Sequence, residues 1–227
     1  MIYGLFFAAG KQSRFGITTP KALSLIGNKV LLDCNFKNIE PFVDKSYVVC
    51  SNENAYFFDK YPKIAIDSGK GCGDAVMKAL YSLNPSADDF CYVQWGDSFV
   101  NDKLYPLIKN NAQTVKIPCY YESNPYVQVI PDGETVKIKF SKYEKTDDFG
   151  LHDQSVFYMP AQYALKELIA FAGKITENGQ YRTKHNNEML FLDLFNEMGT
   201  KAQIVENTIK SFSFNTLKEL RELNNGR

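Results

Sequence analysis

The densest chemical signal in the chain lies near its start. Phe7-Ala8-Ala9-Gly10-Lys11-Gln12-Ser13-Arg14-Phe15-Gly16 is followed by Thr19-Pro20-Lys21-Ala22-Leu23. Ala8, Ala9 and Gly10 are small enough to let a backbone come close to a ligand. Successive backbone N–H groups in such a turn form an anion-binding concavity. Arg14 and Lys21 add fixed positive charge, and Lys11 precedes both. A guanidinium grips phosphate oxygens in a fork, whereas an ammonium acts as a point charge. Arginine is scarce, occurring only at 14, 182, 221 and 227, so one inside this loop is informative.

Two further positions suit a hard cation. Gly96-Asp97 follows the apolar run Cys91–Trp95, where a carboxylate could hold a divalent ion through oxygen. Asn215 precedes the amphipathic stretch Leu217–Leu223 and offers an amide oxygen. Each has a plainer reading as the cap of a turn or helix. Other phosphate loops fit poorly. Gly4 to Gly10-Lys11-Gln12 is one residue too long for GxxxxGK[ST] and lacks the hydroxyl. GxGxxG fails because Gln12 stands at the second glycine position.

The elements that must position these residues alternate over the first half. Strands are predicted at Ile2–Phe7, Ser46–Cys50, Lys63–Ile66 and Phe90–Trp95. Helices are predicted at Val30–Ile39 and at Gly71–Leu83, where Val76, Ala79, Leu80 and Leu83 share one face. Such alternation implies an α/β fold with a doubly wound, mixed and mainly parallel sheet. The second half adds strands at Thr114–Tyr120, Tyr126–Ile130, Thr135–Phe140, Ser155–Met159 and Ala202–Val205, with a turn at Pro131-Asp132-Gly133. Helices are predicted at Ala161–Phe171, Asn187–Met198 and Thr216–Leu223. Ligands of such sheets bind beyond the carboxyl ends of the strands, where the loop 8–21 and Asp97 both fall.

Composition narrows the function classes. The 227 residues carry no linker or repeat and read as one domain, 1–227. Lys plus Arg and Asp plus Glu are both 26, which argues against broad nucleic-acid or anionic-membrane binding. No apolar run reaches the roughly 18 residues of a membrane span. Met1–Phe7 lacks the basic flank of a signal peptide, so the expected setting is the cytoplasm. Cys34, Cys50, Cys72, Cys91 and Cys119 form no CxxC pair and read as reduced thiols. Two histidines, His152 and His185, are too few for a histidine-rich metal centre.

Ala8-Ala9-Gly10-Lys11-x-Ser13-Arg14 with Pro20-Lys21-Ala22-Leu23 resembles the signature of the nucleotidyltransferases that make activated sugars and related alcohols. The resemblance spans most of the chain and is densest at 7–23, 71–75 and 96–97. It implies a nucleotide-diphospho-sugar transferase fold and transfer of NMP from an NTP to a phosphorylated acceptor, with release of pyrophosphate. It implies Mg²⁺ (or Mn²⁺) on Asp97 and Asn215, with Arg14, Lys21 and Lys11 at the phosphates. Ala8, Ala9, Gly10 and Gln94 would contact the nucleotide. Gly71-Cys72-Gly73-Asp74-Ala75 is similar to the family's G-T-x-x-A nucleobase segment, with Cys72 at the hydroxyl position; its glycines could instead serve close packing. The nucleophile would be a phosphate monoester, ionised at neutral pH because its second pKa is about 6. No general base is then required.

The acceptor pocket departs from the sugar-specific pattern. Tyr126-Val127-Gln128 stands where those relatives carry Tyr-Gly-Arg, and Asp153-Gln154-Ser155 where they carry Asn-Thr-Gly. The compact length is similar to that of cytidylyltransferases acting on phosphocholine and other non-sugar phosphates, which points to CTP and a small acceptor for surface-glycan or lipid precursors. Glu122, Asp153, Lys184 and Glu188 are the candidate acceptor residues. Sugar-1-phosphate uridylyl-, guanylyl- or thymidylyltransfer stays open, as does a monomer or a homodimer. A glycosyltransferase would want D-x-D, which Asp97-Ser98-Phe99 lacks. A non-catalytic nucleotide sensor would need neither Asp97 nor Asn215.

Overall fold

The computed structural model describes residues 1–10, 19–67, 70–110, 113–214 and 216–225. Ten strands form the main sheet: β1 (Ile2–Phe7), β2 (Lys45–Ser51), β3 (Lys63–Ile66), β4 (Phe90–Trp95), β5 (Val115–Ser123), β6 (Val127–Asp132), β7 (Thr135–Phe140), β8 (Phe149–Asp153), β9 (Val156–Pro160) and β10 (Ala202–Glu206). Their order is β7-β6-β8-β5-β9-β4-β1-β2-β3, with β10 paired to β5. Pairing is parallel for β4-β1, β1-β2, β2-β3 and β5-β10, and antiparallel elsewhere. Following these directions, β1 to β6 and β10 run one way and β7, β8 and β9 the other. This is the mixed, mainly parallel α/β sheet expected of a nucleotide-diphospho-sugar transferase-like fold.

The sheet is covered on both sides, which explains why β1 is apolar throughout rather than alternating. Leu5 and Phe7 face one core with α2 (Cys72–Leu83), α4 (Ala161–Ile175) and α5 (Asp193–Met198). Phe6 and Ala8 face a second with α1 (Leu31–Ile39) and α3 (Leu104–Ile108). A third cluster joins Ile26, Leu31 and Phe214 to Leu217, Leu220 and Leu223 of α6 (Leu217–Asn225).

Three elements differ from expectation. The helix predicted at Asn187–Met198 is confined to Asp193–Met198. Asn186 and Asn187 take left-handed backbone, at φ 56° and 58°, and the residues after them pair with the start of α2 instead. The hairpin between β6 and β7 turns at Gly133-Glu134 rather than Pro131-Asp132-Gly133, because β6 runs through Asp132 and Gly133 supplies a φ of 65°. Strand β8 had no sequence signal, since Gly150 and the polar His152 and Asp153 break its alternation; pairing with β5 makes it.

Candidate active site

The site grows from the adjacent carboxyl ends of β1 and β4. Phe7 and Trp95 are cross-strand partners, and the Gly96 N–H donates to the Phe7 carbonyl at 2.9 Å. A Cβ on Gly96 would lie 2.7 Å from that carbonyl and 3.3 Å from the Ala22 Cβ, so only glycine lets the chain turn here. Ala22 is buried within a single 3₁₀ turn, Lys21–Leu23, entered from Pro20. That turn brings Lys21 over the next residue of the other strand end. Lys21 Nζ lies 3.2 Å from Asp97 Oδ2, with the two side chains 12% and 32% exposed. The two basic-loop and acidic candidates that sequence separates by 76 residues therefore meet. Lys11 and Arg14 lie outside the described residues.

The chain beyond Asp97 is held from two sides. Buried Asn35 of α1 donates to the Ser98 carbonyl at 2.8 Å and accepts from the Val100 N–H. Ser98 and Phe99 pair antiparallel with Ser213 and Phe212. Asn215 itself lies outside the described residues. The cap of α6 is Thr216, whose hydroxyl accepts from the Glu219 N–H at 3.2 Å.

The remaining nucleotide candidates divide. Ala8 is buried, Ala9 half-buried and Gly10 exposed, with no atom of the described residues within 4 Å of an added Cβ on Gly10. Gln94 is fully buried; its amide accepts from the Tyr105 hydroxyl at 2.7 Å and donates to the Ser98 carbonyl. Strand alternation turns it away from Val93 and Trp95, so it braces the Asp97 loop from beneath rather than facing a ligand on their side. Gly71 and Gly73 press on the backbone of 189–191: Cβ atoms there would come within 2.4 Å and 3.0 Å of it. The Gly73 N–H donates to Met189 O, Met189 N–H to Lys70 O, and Phe191 N–H to Cys72 Sγ. Close packing thus accounts for both glycines, and the backbone groups Gly73 N–H and Lys70 O are already used. Asp74 is buried against the Tyr181 hydroxyl at 2.7 Å and Lys78 at 2.8 Å. Burial pushes the Cys72 thiol up to about 11, which keeps it protonated.

The four acceptor candidates do not form one group. Asp153 pairs with Cys119 and Glu122 with Gly150. Directly opposed residues share a face and successive ones alternate, so Asp153 and Glu122 project from opposite faces of the sheet. Asp153 lies on the face of Leu151 and the first core; Glu122 lies with Tyr120 and His152, its carboxylate 3.8 Å from His152 Nδ1. Asp153 is buried and accepts from the Ser155 N–H at 2.8 Å. Burial raises its carboxyl above the usual range, against the pull of His152 and of that N–H. Lys184 and Glu188 are exposed on the connection ahead of α5. The buried polar group on that connection is His185, 3.2 Å from Asp193. Burial raises the Asp193 carboxyl, with His185 opposing.

Sequence reasoning passed over Asn35, Gln154, Asn207 and Ser211, which support the site from within. A lone Asn, Gln or Ser has no periodicity to betray it; only burial marks Asn35 and Gln154 out. Among the described residues no three His, Cys, Asp or Glu side chains converge on one point. No described helix is long and apolar enough to cross a membrane.

No protein-family profile and no curated protein matches the chain. Among solved structures it is similar to one assigned as a glucose-1-phosphate thymidylyltransferase from Bacillus anthracis, determined at 2.76 Å in complex with a sucrose. The TM-score is 0.74 at 14% identity, over 99% of this chain and 94% of that one. The likeness shows a shared fold along almost the whole length of both chains.

Proposed function

We propose that the protein is a nucleotidyltransferase that moves NMP from an NTP to a small phosphorylated acceptor and releases pyrophosphate. The observation that carries this reading is the Lys21–Asp97 pair at 3.2 Å, standing at the carboxyl ends of two adjacent parallel strands in this fold. A sensor that only binds nucleotide does not require that carboxylate.

In-line attack by an acceptor phosphate on the α-phosphorus needs alignment and neutralisation of crowded negative charge more than it needs a base. Lys21 is placed to balance charge between the α-phosphate and the acceptor phosphate. Gly10, Lys11 and Arg14 are assigned to the β- and γ-phosphates, and Ala8 and Ala9 to close backbone approach. The Gly71–Asp74 segment borders the base. Asp97 and Asn215 are the assigned ligands of a divalent cation, Mg²⁺ or Mn²⁺. A single half-buried carboxylate with an amide oxygen fits an ion that keeps waters and phosphate oxygens in its shell, and does not fit a caged all-protein site. Such an ion, when bound, neutralises and orients phosphate oxygens.

CTP is the favoured nucleotide, with a small non-sugar acceptor of the surface-glycan or lipid class. The thymidylyltransferase likeness supports a second reading, a sugar-1-phosphate acceptor with UTP, GTP or dTTP. The whole chain acts as one catalytic domain in the cytoplasm, as a monomer or homodimer, with no nucleic-acid partner and no membrane insertion. Incubation with each NTP or dTTP, Mg²⁺ and a panel of phosphorylated alcohols and sugar 1-phosphates, scored by pyrophosphate release, tests the reaction and both substrates. Release with CTP and a phosphorylated alcohol supports the first reading, and release only with a sugar 1-phosphate the second. No release with any pair rejects nucleotidyl transfer.

A further inference from the structure

A short hairpin follows α4. Thr176–Glu177 pairs with Gln180–Tyr181, and Asn178 and Gly179 form the two-residue turn at φ 51° and 75°. Asn-Gly is the sequence that such a turn favours, because both positions need left-handed backbone. The Arg182 N–H donates to Ile175 O at 2.7 Å, which closes the open end. Residues 176–180 are exposed and Tyr181 is half-buried. A two-stranded hairpin is marginal on its own in water, so what anchors it decides where it sits. Its anchor on α2 is the Tyr181 hydroxyl, which donates to Asp74 Oδ1 at 2.7 Å across 107 residues of sequence.

Asp74 is 2% exposed in the first turn of α2. A buried carboxylate is costly unless it is paired. Its second oxygen pairs with Lys78 Nζ at 2.8 Å, and Lys78 in turn donates to Asp67 O, just past β3, at 2.6 Å. Lys70 Nζ stands 5.8 Å from the centre of the Tyr181 ring. Burial and the Asp74 carboxylate raise the Tyr181 phenol above its ordinary range, so it stays a donor. The segment 70–74 is thus held from the hairpin through Tyr181, from the end of β3 through Lys78, and from residues 189–191 by backbone bonds. Paired buried networks of this kind fix one geometry. We propose that Tyr181 is a positioning residue: through Asp74 it sets the segment 70–74 against the base, and so governs which NTP is preferred. This rests on the assignment of that segment to the base under the proposed function.

Tyr181→Phe keeps the ring that Lys70 approaches and removes only the hydroxyl, while Lys78 still pairs with Asp74. The test is titration calorimetry of the full chain with CTP, UTP, GTP and ATP, each with Mg²⁺, for wild type, Tyr181→Phe, Gly179→Ala and Gly73→Ala. The four nucleotides differ only in the base, so the ratios of their affinities report the base contact. The preferred nucleotide should bind about tenfold more weakly to Tyr181→Phe, the scale of one hydrogen bond to a charged group. The others should lose less, so the preference narrows. Gly179→Ala strains the exposed turn at φ 75° and meets nothing within 4 Å among the described residues. It should narrow the preference by a smaller factor, and it carries the comparison should Tyr181→Phe not fold. Gly73→Ala, whose Cβ would come within 3.0 Å of the backbone of 189–191, disturbs the segment itself and should also narrow the preference. An equal loss for all four nucleotides in Tyr181→Phe overturns the positioning role. Unchanged ratios in Tyr181→Phe beside narrowed ones in Gly73→Ala overturn it too, and leave the base reading standing. A wild type without preference, or unchanged ratios in Gly73→Ala, overturns the base reading itself.

Discussion

Lys21 and Asp97 are 76 residues apart and face each other across 3.2 Å. The contact is made by backbone, not by chance encounter of long side chains. Gly96 closes on Phe7, Ala22 Cβ lies 3.3 Å from where a Gly96 Cβ would stand, and Lys21 opens the 3₁₀ turn that carries Ala22. On the proposed function each is a transition-state contact. Asp97→Ala and Lys21→Ala should each lower kcat by at least ~10²-fold, the scale of losing one such electrostatic contact. Circular dichroism and thermal melts should stay near wild type. Near-normal turnover in either variant rejects the assignment.

The same distance makes a sign prediction. An ammonium beside a carboxylate competes with any cation for it, because like charges repel at short range. Lys21→Met should therefore bind Mn²⁺ more tightly than wild type when no nucleotide is present, even as its turnover falls. Titration calorimetry on the nucleotide-free protein reads this directly. Weaker binding would mean that Lys21 orients Asp97 for the ion rather than opposing it.

Three glycines separate packing from binding. Gly71→Ala puts a Cβ 2.4 Å from Met189 O at a φ of 104°, and Gly96→Ala puts one 2.7 Å from Phe7 O. Both should destabilise by roughly 1–3 kcal/mol or more, Gly71→Ala the further because strain adds to overlap. Gly10→Ala meets nothing within 4 Å among the described residues and should cost under about 0.5 kcal/mol. Its added methyl should instead raise KM for the NTP. Denaturant midpoints and initial rates check the pair of effects; an unchanged KM argues that the loop does not approach a phosphate.

Much of this was legible in the sequence, for identifiable reasons. Alternating apolar runs located β1 to β4 with α1 and α2, because parallel strands buried on both faces leave an unbroken signal. The fold class followed from that alternation, and the loop, Lys21 and Asp97 from motifs at strand ends. What stayed hidden depends on contacts between distant segments. Strand β8 exists because β5 offers it an edge, and Asn187–Leu192 is not helical because its backbone is spent on residues 70–73. Gln94 looked like a ligand residue from its position, but a strand's two-residue period assigns it to the α3 side. Glu122 and Asp153 were grouped by chemistry, while register places them on opposite faces.

Thr216 and Asn215 give opposite expectations from adjacent positions. Thr216 caps α6, so Thr216→Ala should cost about 1 kcal/mol of stability and little activity. On the proposed function, Asn215→Ala should cost activity and Mg²⁺ affinity with stability nearly unchanged, because Thr216 supplies the bond to the Glu219 N–H. Urea denaturation beside Mg²⁺-dependent rates separates the two. A stability loss in Asn215→Ala equal to that of Thr216→Ala would return Asn215 to a structural role.

Asp153 links stability to the acceptor. An unfolded aspartate titrates near about 3.9, and burial holds the folded one higher. The folded chain therefore grips this proton more tightly than the unfolded chain does. Its contribution to stability is complete below the unfolded value and is lost as pH rises through the folded one. Asp153→Asn keeps the oxygen that accepts from the Ser155 N–H but cannot ionise. Relative to wild type, the variant should gain stability between pH 4 and pH 7 and be at least as stable at pH 7. Denaturant midpoints across that range measure it, and a variant that loses ground as pH rises contradicts the buried-charge account. Asp153 shares a face with Leu151 and the first core, where Trp95 also packs, and the proposed function keeps it as an acceptor candidate. Asp153→Asn should accordingly raise KM for the acceptor and leave KM for the NTP as it was. A variant that is more stable and kinetically unchanged toward both substrates removes Asp153 from the acceptor site.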